Sequence, residues 1–252
     1  MIKYGLKLWS NNTNLFESAI ELYIEKKIDF IELYNNSKQE HDYKKLALLK
    51  KAPIVIHNAN YQGFHELIIE EFQLKIWKKT IALANFFNSK FIIIHPGKNH
   101  TIKSFKENLA KIDDSRIILE NMAGIDIFDE TIIFANTLPI LKEIKKIKPI
   151  CFDFEKAVKA SKQRNLDYKE YIKECITELK PVYFQISGGD ENSPNDEHEN
   201  LWDSNFDFKW IKEQLTELTK NQDVYLLFET PKTQDNKDLE NDVKNMDFFR
   251  NY

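Results

Sequence analysis

Six apolar runs in this 252-residue chain stop at side chains able to bind a metal ion or move a proton. They read Val-Ile-His57-Asn, Ile-Ile-His95-Pro-Gly, Ile-Leu-Glu120-Asn121, Phe-Asp153, Phe-Gln185-Ile-Ser and Phe-Glu229-Thr-Pro. Glu120, Asp153, Gln185 and Glu229 form an oxygen-only set, which suits Mg²⁺ or Mn²⁺ more than Zn²⁺. His57 and His95, sharing Glu120, offer a second and softer set suited to Zn²⁺ or Mn²⁺; alternatively the two imidazoles contact substrate. Three carboxylates in one narrow mouth repel one another and drive up their pKa values unless a cation relieves them, so a divalent metal is expected. Glu120 and Glu229 are then the candidate catalytic pair, one removing a proton and the other returning it.

Each residue alone has a plainer reading. A histidine ending a strand is more often a hydrogen-bonded structural residue than a ligand. An acid there often caps a helix or pairs with a cation. Glu32, in the second run, is set aside on that ground. It is the convergence of the six that gives the set weight.

The elements that must position them are legible as alternating patterns. Arg116-Ile-Ile-Leu-Glu-Asn-Met-Ala-Gly124 is typical: branched apolar residues, then an acid, an amide and a turn. Such a run reads as a strand buried on both faces, as a parallel sheet requires. Eight of them occur, at Ile2–Trp9, Phe30–Tyr34, Pro53–His57, Phe91–His95, Ile117–Glu120, Pro149–Asp153, Val182–Gln185 and Val224–Glu229. Between them lie helical patterns such as Leu15-Ala19-Leu22-Tyr23 and Leu74-Trp77-Ile81-Ala84. Strict alternation implies right-handed crossovers, and eight repeats in a chain of this length predict an α/β fold, a (β/α)₈ TIM barrel forming a single domain over residues 1–252. Active sites of such barrels lie at the C-terminal ends of the strands, where all six candidates fall. No Gly-rich phosphate loop follows the first strand, which argues against a dinucleotide fold. The longest irregular stretch, Ser187–Asp203, follows the seventh strand and is expected to be functional.

Composition narrows the partners. The formal net charge of −4 and the lack of a basic tract give no support for nucleic-acid binding. Cys151 and Cys175 have no metal-finger spacing and read as two buried thiols in a reducing compartment. No apolar run approaches the roughly 18 residues of a membrane span, and no leader pattern precedes the first strand, so a cytoplasmic protein is expected. Trp9, Trp77, Trp202 and Phe64 are candidates for a homodimer face, a substrate pocket or the core.

His95-Pro-Gly, Leu-Glu120-Asn-Met-Ala-Gly, Asp196-Glu-His198 and Leu-Phe-Glu229-Thr-Pro resemble motifs of endonuclease IV in order and spacing, and Leu201 and Trp210-Ile211 fall where that family has similar residues. The chain thus resembles, from first strand to last, the xylose-isomerase-like barrel superfamily, which holds endonuclease IV together with many sugar isomerases and epimerases. In endonuclease IV three zinc ions cleave the backbone at abasic sites. The resemblance implies His57, His95 and Glu120 on one metal, Glu120, Asp153 and Glu229 on a second, and Asp196 and His198 on a third.

Two positions depart from that pattern. Gln185 stands where the family has His, though Gln can donate an oxygen and hydroxypyruvate isomerase-like members carry it here. Lys156 stands in place of a His three residues after the sixth-strand Asp, and an ammonium has no lone pair to give a metal. Lys156 reads either as a solvated residue on the first turn of the sixth helix or as a group binding a substrate phosphate or carboxylate. The departures move the expectation from phosphodiester cleavage to a metal-dependent isomerase or epimerase of a small sugar, sugar phosphate or keto acid, with Asn121, Lys156, Asp196 and His198 touching substrate. The alternative is an endonuclease IV-like phosphodiesterase on abasic DNA, and a third reading is a barrel that has lost catalysis.

Overall fold

A computed structural model describes residues 1–36, 38–59, 71–97, 101–124 and 134–252; Phe64 lies outside them. Eight strands close a parallel barrel in sequence order: β1 Ile2–Trp9, β2 Phe30–Tyr34, β3 Ile54–His57, β4 Ile92–Ile94, β5 Ile117–Glu120, β6 Ile150–Asp153, β7 Tyr183–Ile186 and β8 Val224–Phe228. The predicted (β/α)₈ barrel is therefore the fold. Boundaries differ from the sequence reading by a residue or so: His95 and Glu229 each lie just past their strands, and β7 runs on to Ile186.

The helices are α1 Phe16–Ile24, α2 Tyr43–Leu46, α3 Glu71–Phe87, α4 Ile102–Leu109, α5 Leu138–Lys145, α6 Phe154–Lys162, α7 Tyr168–Leu179, α8 Phe208–Leu218 and α9 Glu240–Arg250. Polar residues cap several of them as the sequence requires: Thr101 and Ser104 form a reciprocal capping box on α4, and Asp167 caps α7 through the Glu170 N–H. No helix among the described residues is long and apolar enough to cross a membrane.

Strand alternation divides the core into two layers. Residues such as Ile31, Leu33, Ile54, Ile56, Ile92, Ile94, Phe152 and Phe184 face outward and pack in the shell against the helices. Their neighbours Phe30, Val55, Ile93, Ile118, Cys151, Tyr183 and Leu227 fill the barrel interior, joined by Phe91 and Tyr225. Gly5 makes room for this plug: a Cβ there would come within 2.2 Å of the Phe30 ring. Parallel register pins the layers, pairing Gly5 with Phe30, Tyr34 with His57 and Asp153 with Gln185.

Of the tryptophans considered as a dimer face, Trp77 is buried in the core, Trp9 packs on the cluster of Tyr34, Ala59 and Ile76, and Trp202 packs edge-on to Phe248 beneath Lys244. Both cysteines are buried free thiols.

Candidate active site

One step of alternation beyond the apolar plug, the interior residues become polar on every strand. Successive strands contribute Lys7, Glu32, His57, His95, Glu120, Asp153, Gln185 and Glu229. The six residues expected from the sequence are thus brought together, and two more complete the ring. Glu32 is fully buried, accepts a 2.6 Å hydrogen bond from the Tyr183 hydroxyl and lies 3.6 Å from Lys7 Nζ. The ion-pair reading that set Glu32 aside is correct, and its partner is itself part of the site.

Glu120 is the hub. Its Oε2 lies 3.2 Å from Nε2 of both His57 and His95, and its Oε1 is in contact with the Lys156 ammonium. Burial opposes its ionisation, but the charge of the adjoining Lys156 ammonium outweighs that, holding the carboxyl well below the usual carboxylate range. A carboxylate so stabilised is a weak base, which suits a ligand better than the catalytic role expected for it. Burial pushes His95 down to about 3, so its imidazole is neutral near pH 7.

Lys156 is not a solvated residue. Asp153 ends β6 and caps α6, its Oδ1 accepting the Lys156 backbone N–H at 3.0 Å. That cap aims the first turn of α6 into the barrel. The Lys156 side chain is only 4% exposed, and its Nζ touches Glu120 Oε1 and stands 3.4 Å from Asp153 Oδ2 and 4.0 Å from Glu229 Oε2. Burial would strip its proton, but Glu120, Asp153 and Asp196 together raise its pKa well above the ordinary lysine value. Glu229 Oε1 accepts from Lys7 and from Gln185 Nε2, the latter at 3.0 Å. Its Oε2 is the freer oxygen, with His198 Nδ1 at 3.6 Å.

Two amides sit differently from expectation. Gln185 turns its N–H toward Glu229 and its oxygen toward the Cys151 thiol at 3.3 Å, because the carboxylate needs a donor and the S–H an acceptor. It offers the site no free oxygen in this arrangement. Asn121, expected to touch substrate, uses both ends of its amide on Asp153: Nδ2 donates to the Asp153 carbonyl at 3.0 Å, and Oδ1 accepts the Asp153 N–H at 2.6 Å. It positions Asp153.

The loop after β7 is held from α6. Glu155, which the sequence reading passed over, is fully buried and accepts the backbone N–H groups of Glu197 at 2.6 Å and His198 at 3.1 Å, together with the Ser187 hydroxyl. Lys159, also buried, donates to Glu197 at 2.6 Å and to the Asp190 carbonyl at 2.8 Å. These contacts deliver His198 to the ring with Asp196 3.3 Å from its Nε2. Glu155, Asp196 and His198 form a further group able to converge on one ion.

Charge and hydrogen-bond polarity decide which set fits a metal. His57 Nδ1 lies 2.8 Å from the Asn58 carbonyl, which can only accept, so Nδ1 carries the proton. In a neutral ring the Nε2 lone pair then faces a carboxylate oxygen at 3.2 Å, acceptor against acceptor. Either a proton on Nε2 or a cation among His57, His95 and Glu120 resolves this, and the 3.2 Å spacings approach the roughly 3.4 Å edges of a tetrahedron with bonds of about 2.1 Å. The Glu120, Asp153 and Glu229 oxygens also converge, within 4.8 Å of one another, but Lys156 already stands among them. Among the described residues of this strand layer, four carboxylates against two ammonium groups leave two negative charges when all are ionised. One divalent ion balances that.

The fold and this ring define a parallel barrel of the kind that carries metal-site enzymes. The chain belongs to the xylose isomerase-like TIM barrel family, whose model matches residues 18–252. No curated protein matches its sequence. Among solved structures it is similar to endonuclease IV from Thermus thermophilus, with a TM-score of 0.69 at 16% identity over 99% of this chain and 98% of that one. It is also similar to a xylose isomerase domain containing protein from Salmonella typhimurium, with a TM-score of 0.62 at 15% identity over 98% and 95%. D-psicose 3-epimerase from Clostridium cellulolyticum, solved with D-tagatose, gives 0.52 at 12% identity over 89% and 84%. At these identities the likeness is one of fold, and it spans more than one reaction.

Proposed function

We propose that the protein is a divalent-metal-dependent isomerase or epimerase of a small sugar, sugar phosphate or keto acid. The observation that carries this reading is the Lys156 ammonium among Glu120, Asp153 and Glu229. Among the described residues it fills the oxygen-only triad and leaves sets that include an imidazole, of which we take His57, His95 and Glu120 as the metal site because Glu120 Oε2 lies 3.2 Å from both rings. An all-oxygen set favours Mn²⁺ or Mg²⁺; two imidazoles and one carboxylate bring Zn²⁺ and Mn²⁺ forward. When bound, the ion would supply Lewis-acid polarisation of a substrate carbonyl.

The residues of the chain supply the rest. Glu229 Oε2, free of strong donors, is the group to take a proton from the carbon next to the carbonyl. Lys156 and Lys7 flank Glu229 and oppose the negative charge that develops as that proton leaves. His198, whose side chain is 38% exposed, stands between Glu229 and solvent and orients the substrate hydroxyls with Asp196 behind it. Asn121 and Gln185 hold Asp153 and Glu229 in place. Incubation with Mn²⁺ and a panel of ketoses, ketose phosphates and hydroxy keto acids in heavy water should place deuterium on carbon. Absence of exchange across the whole panel would count against the proposal.

One observation favours a second reading. Glu155, Asp196 and His198 form a three-ligand group beside the ring, as an additional ion of an endonuclease IV-like phosphodiesterase would require. Strong nicking of an abasic duplex at low salt, with no exchange in the first assay, would select it.

A further inference from the structure

We infer that Lys156 takes the place of a metal ion in the Glu120–Asp153–Glu229 triad, so that this half of the ring is closed to divalent cations by a fixed ammonium group and opens to one when the ammonium is removed. The inference rests on reading the ring as a metal site and is indifferent to which reaction the site serves.

The triad has the makings of a cation site. Three carboxylates from β5, β6 and the end of β8 bring one oxygen each within 4.8 Å of one another, all buried. Asp153 Oδ2 is buried and, among the described residues, accepts no hydrogen bond. Its nearest positive charge is Lys156 Nζ at 3.4 Å. The same nitrogen contacts Glu120 and reaches Glu229, so one ammonium addresses all three carboxylates, as a shared dication would. An ammonium and a divalent ion cannot both occupy that centre: the nitrogen is tetrahedral, has no lone pair and repels a second positive charge. Its position is secured from its own helix, because the Asp153 cap fixes the first turn of α6.

Glu120 divides its two oxygens between the halves of the ring, Oε2 to the imidazoles and Oε1 to the lysine. Filling the imidazole half therefore leaves the lysine half undisturbed. The charge balance of the described strand layer agrees, since its two lysines and one dication cancel its four carboxylates.

The test is a count of metal ions per chain. Full-length protein is dialysed against Mn²⁺ or Zn²⁺, and bound metal is measured by mass spectrometry and by titration calorimetry, for the unaltered chain, Lys156→Met and Lys156→Arg. One ion in the unaltered chain, two in K156M and one in K156R is the expected result. Equal counts in the unaltered chain and K156M overturn the inference while leaving a metal-dependent function intact; an extra ion held by Glu155, Asp196 and His198 raises both counts alike, so the difference between the two chains decides. No ion in the unaltered chain and one in K156M upholds the inference and removes the metal from the proposed function. If K156M does not fold, Lys156→Gln serves, and Mn²⁺ should raise its melting temperature more than that of the unaltered chain, because the added site exists only in the variant; equal rises refute the inference.

Discussion

Lys7 and Glu229 form an ion pair across the seam where the first and last strands meet. Lys7 is the interior residue of β1 and Glu229 follows β8, so the contact joins the two ends of the barrel in the layer that holds the candidate site. Lys7 also stands 3.6 Å from Glu32, which makes one ammonium the partner of two buried acids.

Lys7→Met should therefore destabilise the fold by roughly 3 kcal/mol, the low end for breaking a buried pair, because the lysine side chain keeps some access to water. Urea denaturation measures this. Combining K7M with Glu229→Gln should cost distinctly less than the sum of the two single changes, since each alone strands the other's charge. Additive losses would mean that the pair does not couple.

His95 gives the metal-free protein a pH dependence of known sign. An unfolded chain takes up the imidazole proton near 6.5, whereas the buried ring resists protonation to about 3. Between those values unfolding binds a proton, so this contribution to stability is complete above about pH 6.5 and declines as pH falls toward 3. The slope for one proton is at most about 1.4 kcal/mol per pH unit. In chelator, His95→Asn should flatten the acid side of the stability curve, and an unchanged slope would contradict the assignment.

Glu155→Gln should release the loop between Ser187 and Asp203. The carboxylate accepts two backbone N–H groups and a hydroxyl, and an amide turns a donor toward at least one of them. Burial raises the Glu155 pKa to about 7, so above that pH its charge-assisted hydrogen bonds contribute on the order of 1.5–3 kcal/mol each, and proteolytic cleavage within the loop should accelerate about tenfold or more. Deuterium exchange into substrate should fall with it, because His198 loses its tether. Unaltered cleavage would show that Lys159 suffices to hold the loop.

Gly5→Ala tests the plug. The added methyl would meet the Phe30 ring at 2.2 Å, and the ring is wedged between Tyr183 and Tyr225 with centroids 5.7 and 5.5 Å away. Overpacking of this kind costs about 1–3 kcal/mol. Thermal unfolding should show it, with the metal count unchanged.

The strands were legible because each is an uninterrupted apolar run that stops at a polar residue, and the six site residues at those stops were legible with them. Lys7 and Glu32 were not. The stagger of a closed barrel makes its layers cut strands at different heights, so the polar layer crosses β1 two residues before Trp9 and β2 two before Tyr34. Alternation from the plug residue Phe30 to Glu32 is the signal that finds them. Spacing puts Lys156 on the first turn of its helix, but its inward direction depends on how the Asp153 cap tilts that turn. Gln185 and Asn121 are each able to reach the site on chemistry alone because an amide can donate or accept; which end faces where is dictated by neighbours distant in sequence, Cys151 and Glu229 for one and the Asp153 backbone for the other. Glu155 was invisible because nothing in a helical Phe-Glu-Lys reveals that a loop about forty residues later will dock on it.

The aromatic plug beneath the ring also determines traffic. Phe30, Phe91, Tyr183 and Tyr225 pack edge to face and stacked, and the Tyr183 hydroxyl is bonded to Glu32 at the base of the polar layer. The barrel is therefore a cup with a closed floor, so under the proposed function a product would have to leave by the rim its substrate crossed and would obstruct the next arrival.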